Sequence, residues 1–167
     1  MLIINTDGAC HGNPGPGGWA AFWTLDGVDT DLIGGEGPTT NNRMELEAPL
    51  RALLRLSSQN YAGQLRIRTD SQYVVKGLTE WRKGWERRQW RSSTGEPVKN
   101  MDLWKPLFAV VDSFRGRATF EWVRGHNGDP GNERADRLAQ EGLQTARARG
   151  KGAWSKTPGG LLALQVD

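Results

Sequence analysis

Four acidic residues stand in short motifs whose residue types and placement suit them to hold a metal ion. Asp7 lies in Thr6-Asp7-Gly8-Ala9-Cys10-His11-Gly12-Asn13-Pro14-Gly15, and Glu45 in Asn41-Asn42-Arg43-Met44-Glu45-Leu46. Asp70 lies in Thr69-Asp70-Ser71-Gln72-Tyr73, and Asp136 in Asn132-Glu133-Arg134-Ala135-Asp136. Taken singly, each has an ordinary structural role: Asp7 forms a turn, Glu45 faces a helix dipole, Asp70 caps a helix and Asp136 faces solvent. Taken together, two aspartates after apolar strand-like runs and two acids near helix starts can converge on one point. Close carboxylates repel, by about 4 kcal/mol per pair at 4 Å and an effective dielectric near 20. Divalent cations relieve that repulsion, and hard Mg²⁺ takes such oxygen ligands readily.

The elements that carry these residues read β-β-β-α-β-α-α-β-α. Period-two runs predict strands over Met1–Asp7, Trp19–Leu25 and about Thr30–Gly35, with Asp26-Gly27 as a hairpin turn. A helix is expected from Asn41 to Leu56, with Thr40 as its N-cap. A strand at Gln64–Thr69 leads to a helix from Ser71 to about Glu80, then to a short basic helix, Trp81–Arg88. Asn100 is read as the cap of a helix over Met101–Phe114, followed by a strand at Arg117–Val123. The loop Gly125–Gly131 holds His126 and precedes a last helix, Asn132–Leu143. Three antiparallel-type strands followed by α/β alternation predict an α/β domain with a mixed five-stranded sheet flanked by helices. Residues 144–167 turn small and basic and are expected to form a flexible tail.

Composition narrows the function classes. At 167 residues the chain is expected to be one domain, and no apolar run reaches the length of a membrane span. Met1-Leu2-Ile3-Ile4 lacks the features of a secretory signal, and Cys10 is the single cysteine, so a cytoplasmic setting is expected. With only His11 and His126, a zinc cluster is not indicated. Charge is segregated: residues 1–50 hold seven acids against Arg43, whereas residues 81–100 hold six bases against Glu86 and Glu96. That distribution suits a metal-dependent enzyme acting on a polyanion, and it equally suits solvated faces.

The ordered set of these four motifs together with Val123-Arg124-Gly125-His126 resembles type 1 ribonuclease H, over roughly residues 1–142. The resemblance implies the ribonuclease H-like three-layer fold, a catalytic domain over 1–143, and cleavage of the RNA strand of RNA–DNA hybrids to 5′-phosphate and 3′-hydroxyl ends. It makes Asp7, Glu45, Asp70 and Asp136 the ligands of two Mg²⁺ ions, with Mn²⁺ a possible substitute. One ion between Asp7 and Asp136 would orient the attacking water, and one near Asp7, Glu45 and Asp70 would stabilise the leaving oxygen. His126 takes the place of the family's loop histidine, assigned to proton transfer or product release. Asn13, Asn42 and Gln72 would contact the RNA strand, with Glu45 also reaching a 2′-hydroxyl, and Thr40 with Asn13 would hold a DNA phosphate. Residues 81–100 resemble the family's basic handle, in which Trp81 meets the DNA strand and Lys83, Arg87 and Arg88 meet phosphates. Trp85, Trp90 and Trp104 are read as packing residues. The chain departs from better-known members at Gly84 within the handle helix, and Pro49 is unusual in the first long helix. A monomer is expected. Two alternatives are a DNA-cutting enzyme of the same fold and a non-catalytic hybrid-binding module, though the latter would be expected to lack at least one carboxylate.

Overall fold

Alternation of side chains decides the first three elements. In β2 (Gly15–Leu25), Trp19, Ala21 and Trp23 are buried on one face while Ala20 and Phe22 pack on the other. β1 (Leu2–Cys10) pairs antiparallel with β2, which pairs antiparallel with β3 (Val28–Thr39). Asp26 and Gly27 both adopt positive φ, as a tight hairpin between twisted strands requires. The computed structural model describes residues 1–165.

From β3 the chain enters α1 (Asn41–Ser58), whose first turn is capped by Thr40: its side chain accepts from the Arg43 N–H at 3.3 Å. β4 (Leu65–Thr69) lies parallel to β1, and β5 (Ala118–Trp122) lies parallel to β4. Between them run α2 (Gln72–Lys76), a π-helical turn at Gly77–Trp81, α3 (Arg82–Arg87) and α4 (Met101–Ser113). The two helices expected over 71–88 are therefore one continuous helical path. α5 (Pro130–Arg149) follows β5 and packs on the sheet face opposite α1 and α4. The main core lies between α1, α4 and the sheet, with Trp104, Ile4, Met44, Leu46, Leu53 and Ile67 fully buried. A second, smaller core under α5 contains Ala20, Ile33, Leu138, Ala139 and Trp154. Three layers result, as expected for this class of fold.

Several boundaries differ from expectation. β1 continues through Cys10, so Asp7 sits inside a strand opposite Ala20 and not at its end. β2 begins at Gly15 because the glycine-rich segment pairs with β3, across a register shift between Gly15 and Gly17. Asn100 adopts the left-handed conformation and makes no side-chain cap. Its side chain instead accepts from Arg43 and donates to the Tyr73 hydroxyl.

Among the described residues the sheet has seven strands where five are expected, in the order β5-β4-β1-β2-β3-β6-β7. The extra pair comes from the segment expected to be a flexible tail. α5 runs on to Arg149, Gly150 at φ 88° ends it, and β6 (Gly152–Thr157) pairs antiparallel with β3. β7 (Gly160–Ala163) then folds back on β6. Burial of Ala153 and Trp154 on opposite faces and the open edge of β3 supply what local composition does not advertise. Val166 and Asp167, the last of the expected tail, lie outside the described residues. Among the described residues no helix is long and apolar enough to cross a membrane.

Candidate active site

Three carboxylates meet at one end of the sheet. Asp7 projects from the interior of β1, Glu45 from the second turn of α1, and Asp70 from the residue just past β4. One oxygen from each lies within 4.8 Å of the other two. Glu45 can stand against Asp7 because residue 8 is glycine: a Cβ there would meet the Glu45 nitrogen at 2.5 Å. Asp136, in the second turn of α5, lines the same cavity but is not one of the three clustered carboxylates. The cavity, of about 390 Å³, is also lined by Asn41, Asn42, Ser71, Gln72, Tyr73 and His126.

The electrostatics of this cluster are adverse in the absence of a cation. Burial pushes the Asp7 carboxyl from 3.8 up to about 8, with the charge of Asp70 adding to the effect. Burial, then the charges of Asp7 and Asp70, hold Glu45 well above the ordinary carboxylate range. Three other acids of the first fifty residues find cations: Asp31 with Arg134, Glu36 with Lys151 and Glu47 with Arg51. Asp7 and Glu45 have none among the described residues. Glu45 Oε2 is buried without a hydrogen-bond partner, a costly state that a bound cation would relieve. An all-oxygen donor set of this kind fits a hard divalent ion.

The remaining expected residues fall around this centre. His126 adopts a positive φ of 54° in an exposed loop, which brings it to the cavity wall. Asn42 and Gln72 are exposed and line the cavity. Asn13 and Thr40 are not among its lining, but the Asn13 side chain accepts from the Asn41 N–H at 3.2 Å, tying the glycine-rich loop to the start of α1. His11 is exposed and outside the cavity. Asn41, Ser71 and Tyr73 were not singled out from sequence, although each is adjacent to a residue that was, and Ser71 caps α2 through the Val74 N–H.

The basic segment is built on aromatic rings. Trp85 packs against Trp81, Trp90, Trp104 and Phe108, and Tyr73 links Trp81 to the cavity wall. Trp85, Trp90 and Trp104 belong to or pack against the core, as expected, and Trp81 is half-buried beside them. Arg82 is consumed by Asp112 and Glu86, whereas Lys83, Arg87 and Arg88 are exposed and form no ion pair among the described residues.

A three-layer α/β domain with buried carboxylates gathered at one end of its central strands defines a metal-dependent hydrolase architecture. The RNase H family model matches residues 1–144, and the chain belongs to that family. It is 51% identical over 148 residues to a ribonuclease H of Polaromonas naphthalenivorans, covering 89% of this chain and 90% of the relative. Among solved structures it resembles LC9-RNase H1, a type 1 RNase H, with a TM-score of 0.76 and 29% identity, covering 98% of this chain and 77% of that one. It also resembles LC11-RNase H1, solved in complex with an RNA/DNA hybrid, with a TM-score of 0.61 and 27% identity, covering 88% and 99%.

Proposed function

We propose that this ribonuclease H hydrolyses the RNA strand of RNA–DNA hybrids with two Mg²⁺ ions, leaving 5′-phosphate and 3′-hydroxyl ends. The observation that carries this reading is the close trio of Asp7, Glu45 and Asp70, with an unpartnered buried oxygen on Glu45. Asp7, Glu45, Asp70 and Asp136 would hold the ions, Asp7 serving both. When bound, such ions supply a nucleophilic water at neutral pH and stabilise charge on the departing oxygen.

The chain's own groups do the positioning. Asn13, Asn42 and Gln72 offer amide donors and acceptors suited to a 2′-hydroxyl, the group that separates RNA from DNA. The exposed His126 would exchange protons with solvent beside the scissile phosphate. Thr40 with Asn13 would meet a DNA phosphate at the start of α1, and Trp81 the DNA strand. Lys83, Arg87 and Arg88 would follow phosphates further along the duplex, where contacts are independent of base sequence. The enzyme would act as a monomer, with its catalytic unit in residues 1–143.

Cleavage tests this directly. Hybrids labelled on either strand, duplex DNA and duplex RNA are incubated with Mg²⁺, Mn²⁺ or chelator. Only the RNA strand of the hybrid should be cut, only with a divalent ion, leaving ends that a polymerase can extend. Cutting of duplex DNA at a comparable rate, or cutting in chelator, would overturn the reading.

A further inference from the structure

One ion pair stands behind the carboxylates without touching the cavity. Arg68, in β4, directs both terminal guanidinium nitrogens at Asp129: Nη1 donates to Oδ1 at 3.2 Å and Nη2 to Oδ2 at 2.5 Å. Nη1 also donates to Asn5 Oδ1, in β1, at 3.0 Å. Asp129 is the N-cap of α5, and the same Oδ1 accepts from the Asn132 N–H at 2.9 Å. The first turn of α5 is pressed onto Asn5, since a Cβ on Gly131 would lie 2.5 Å from Asn5 Oδ1.

The three members sit on or directly beside the three segments that present Asp7, Asp70 and Asp136. Asn5 precedes Asp7 by two residues in β1, and Arg68 precedes Asp70 by two at the end of β4. Within β1 that spacing returns Asn5 and Asp7 to the same face, while Asp70 is the residue just past β4. Asp129 precedes Asp136 by seven residues, about two turns of helix on one side of α5. A planar guanidinium fixes both direction and distance of a carboxylate, which a point charge does not.

We infer that the Arg68–Asp129 pair, with Asn5, is a positioning device that sets where Asp136 stands relative to Asp7 and Asp70. The inference rests on the metal-ion reading given above. None of the three residues lines the cavity; they act through the carboxylates. Partners behind the ligands of a metal centre typically change its affinity or activity by about 10- to 100-fold when removed.

The experiment is Mg²⁺ titration of the full chain by calorimetry, without hybrid, paired with steady-state cleavage. Asp129→Asn keeps a capping oxygen and loses the charge, and Arg68→Met loses the fork. Each should bind Mg²⁺ about 10- to 100-fold more weakly, and kcat should recover as Mg²⁺ is raised. KM for the hybrid, measured at saturating Mg²⁺, should stay within about twofold because phosphate contacts are untouched. Arg68→Met/Asp129→Asn should be no worse than the weaker single variant within about twofold, as two members of one device behave. Should Arg68→Met fail to fold, Arg68→Lys supplies the same reading, since one ammonium cannot make both bonds. A lower melting temperature with unchanged Mg²⁺ affinity would assign the pair to stability alone and overturn the inference. A raised KM with unchanged Mg²⁺ affinity would overturn it in favour of substrate binding. Wild type that takes up no Mg²⁺ or Mn²⁺ would instead bring down the metal reading on which it rests.

Discussion

The carboxylate cavity and the aromatic handle handle charge in opposite ways. At the cavity, Asp7, Glu45 and Asp70 are gathered with like sign, and the first two are buried without a cation partner among the described residues. In the segment from Tyr73 to Phe108, rings interlock, Arg82 is neutralised by two acids, and the remaining bases point to solvent. The second arrangement stabilises the fold, because buried rings contribute area and satisfied charges cost little. The first opposes folding and has to be offset by the rest of the domain. Such local conflict marks a site selected for chemistry rather than for stability.

The sharpest way to break this contrast is to remove the conflict. Asp7→Asn should lower turnover in Mg²⁺ by more than about 100-fold, since Asp7 would serve both ions. Hybrid affinity should stay within about tenfold, because it comes from phosphate contacts elsewhere. Single-turnover cleavage and a filter-binding titration measure the two quantities separately. Next in size is His126→Ala, expected to reduce turnover by about 10- to 100-fold without abolishing it. Single-turnover cleavage measures it, and an unchanged rate would return His126 to an ordinary surface loop.

The handle should respond in the other parameter. Replacing Lys83, Arg87 and Arg88 with alanine should raise KM by about tenfold while kcat stays within about threefold. Each lost phosphate contact should flatten log K against log salt by somewhat under one unit, so equal slopes would remove these side chains from the interface. The smallest effect on turnover belongs to the C-terminal hairpin. Trp154→Ala should cost about 3 kcal/mol in chemical denaturation, from a buried aromatic on β6, yet leave kcat within about twofold.

Sequence motifs disclosed the site more fully than the fold that holds it. Asp7, Glu45, Asp70 and Asp136 are legible because each lies in a short motif and the motifs resemble those of type 1 ribonuclease H in the same order, and all four reach one cavity. The end of β1 and the start of β2 are not, because Gly8–Cys10 and Gly15–Gly18 read locally as turn and become strand only by pairing with each other and with β3. The C-terminal hairpin is hidden for the same reason: its stability comes from the β3 edge and from Ala20 and Ile33 in the core that receives Trp154, all distant in sequence. The position of Asn100 before α4 suggests a cap, but its side chain is drawn to Arg43 and Tyr73, again a non-local choice. Arg68 and Asp129 left no signal, since their pairing depends on a helix start meeting a strand end.

Melting the protein in chelator and in Mg²⁺ tests most directly whether Asp7, Glu45 and Asp70 are forced together for a cation. Asp7 has a folded-state pKa of about 8 against an ordinary 3.8. A raised carboxyl contributes stability that is complete below about pH 4 and is lost as pH rises through about 8. In chelator, wild type should therefore lose melting temperature relative to Asp7→Asn over that window and melt below it at pH 8.5. Saturating Mg²⁺ should raise wild type by several degrees, leave Asp7→Asn nearly unmoved and so narrow or reverse the order. Wild type that melts at or above Asp7→Asn in chelator at pH 8.5, with no response to Mg²⁺, would contradict the account.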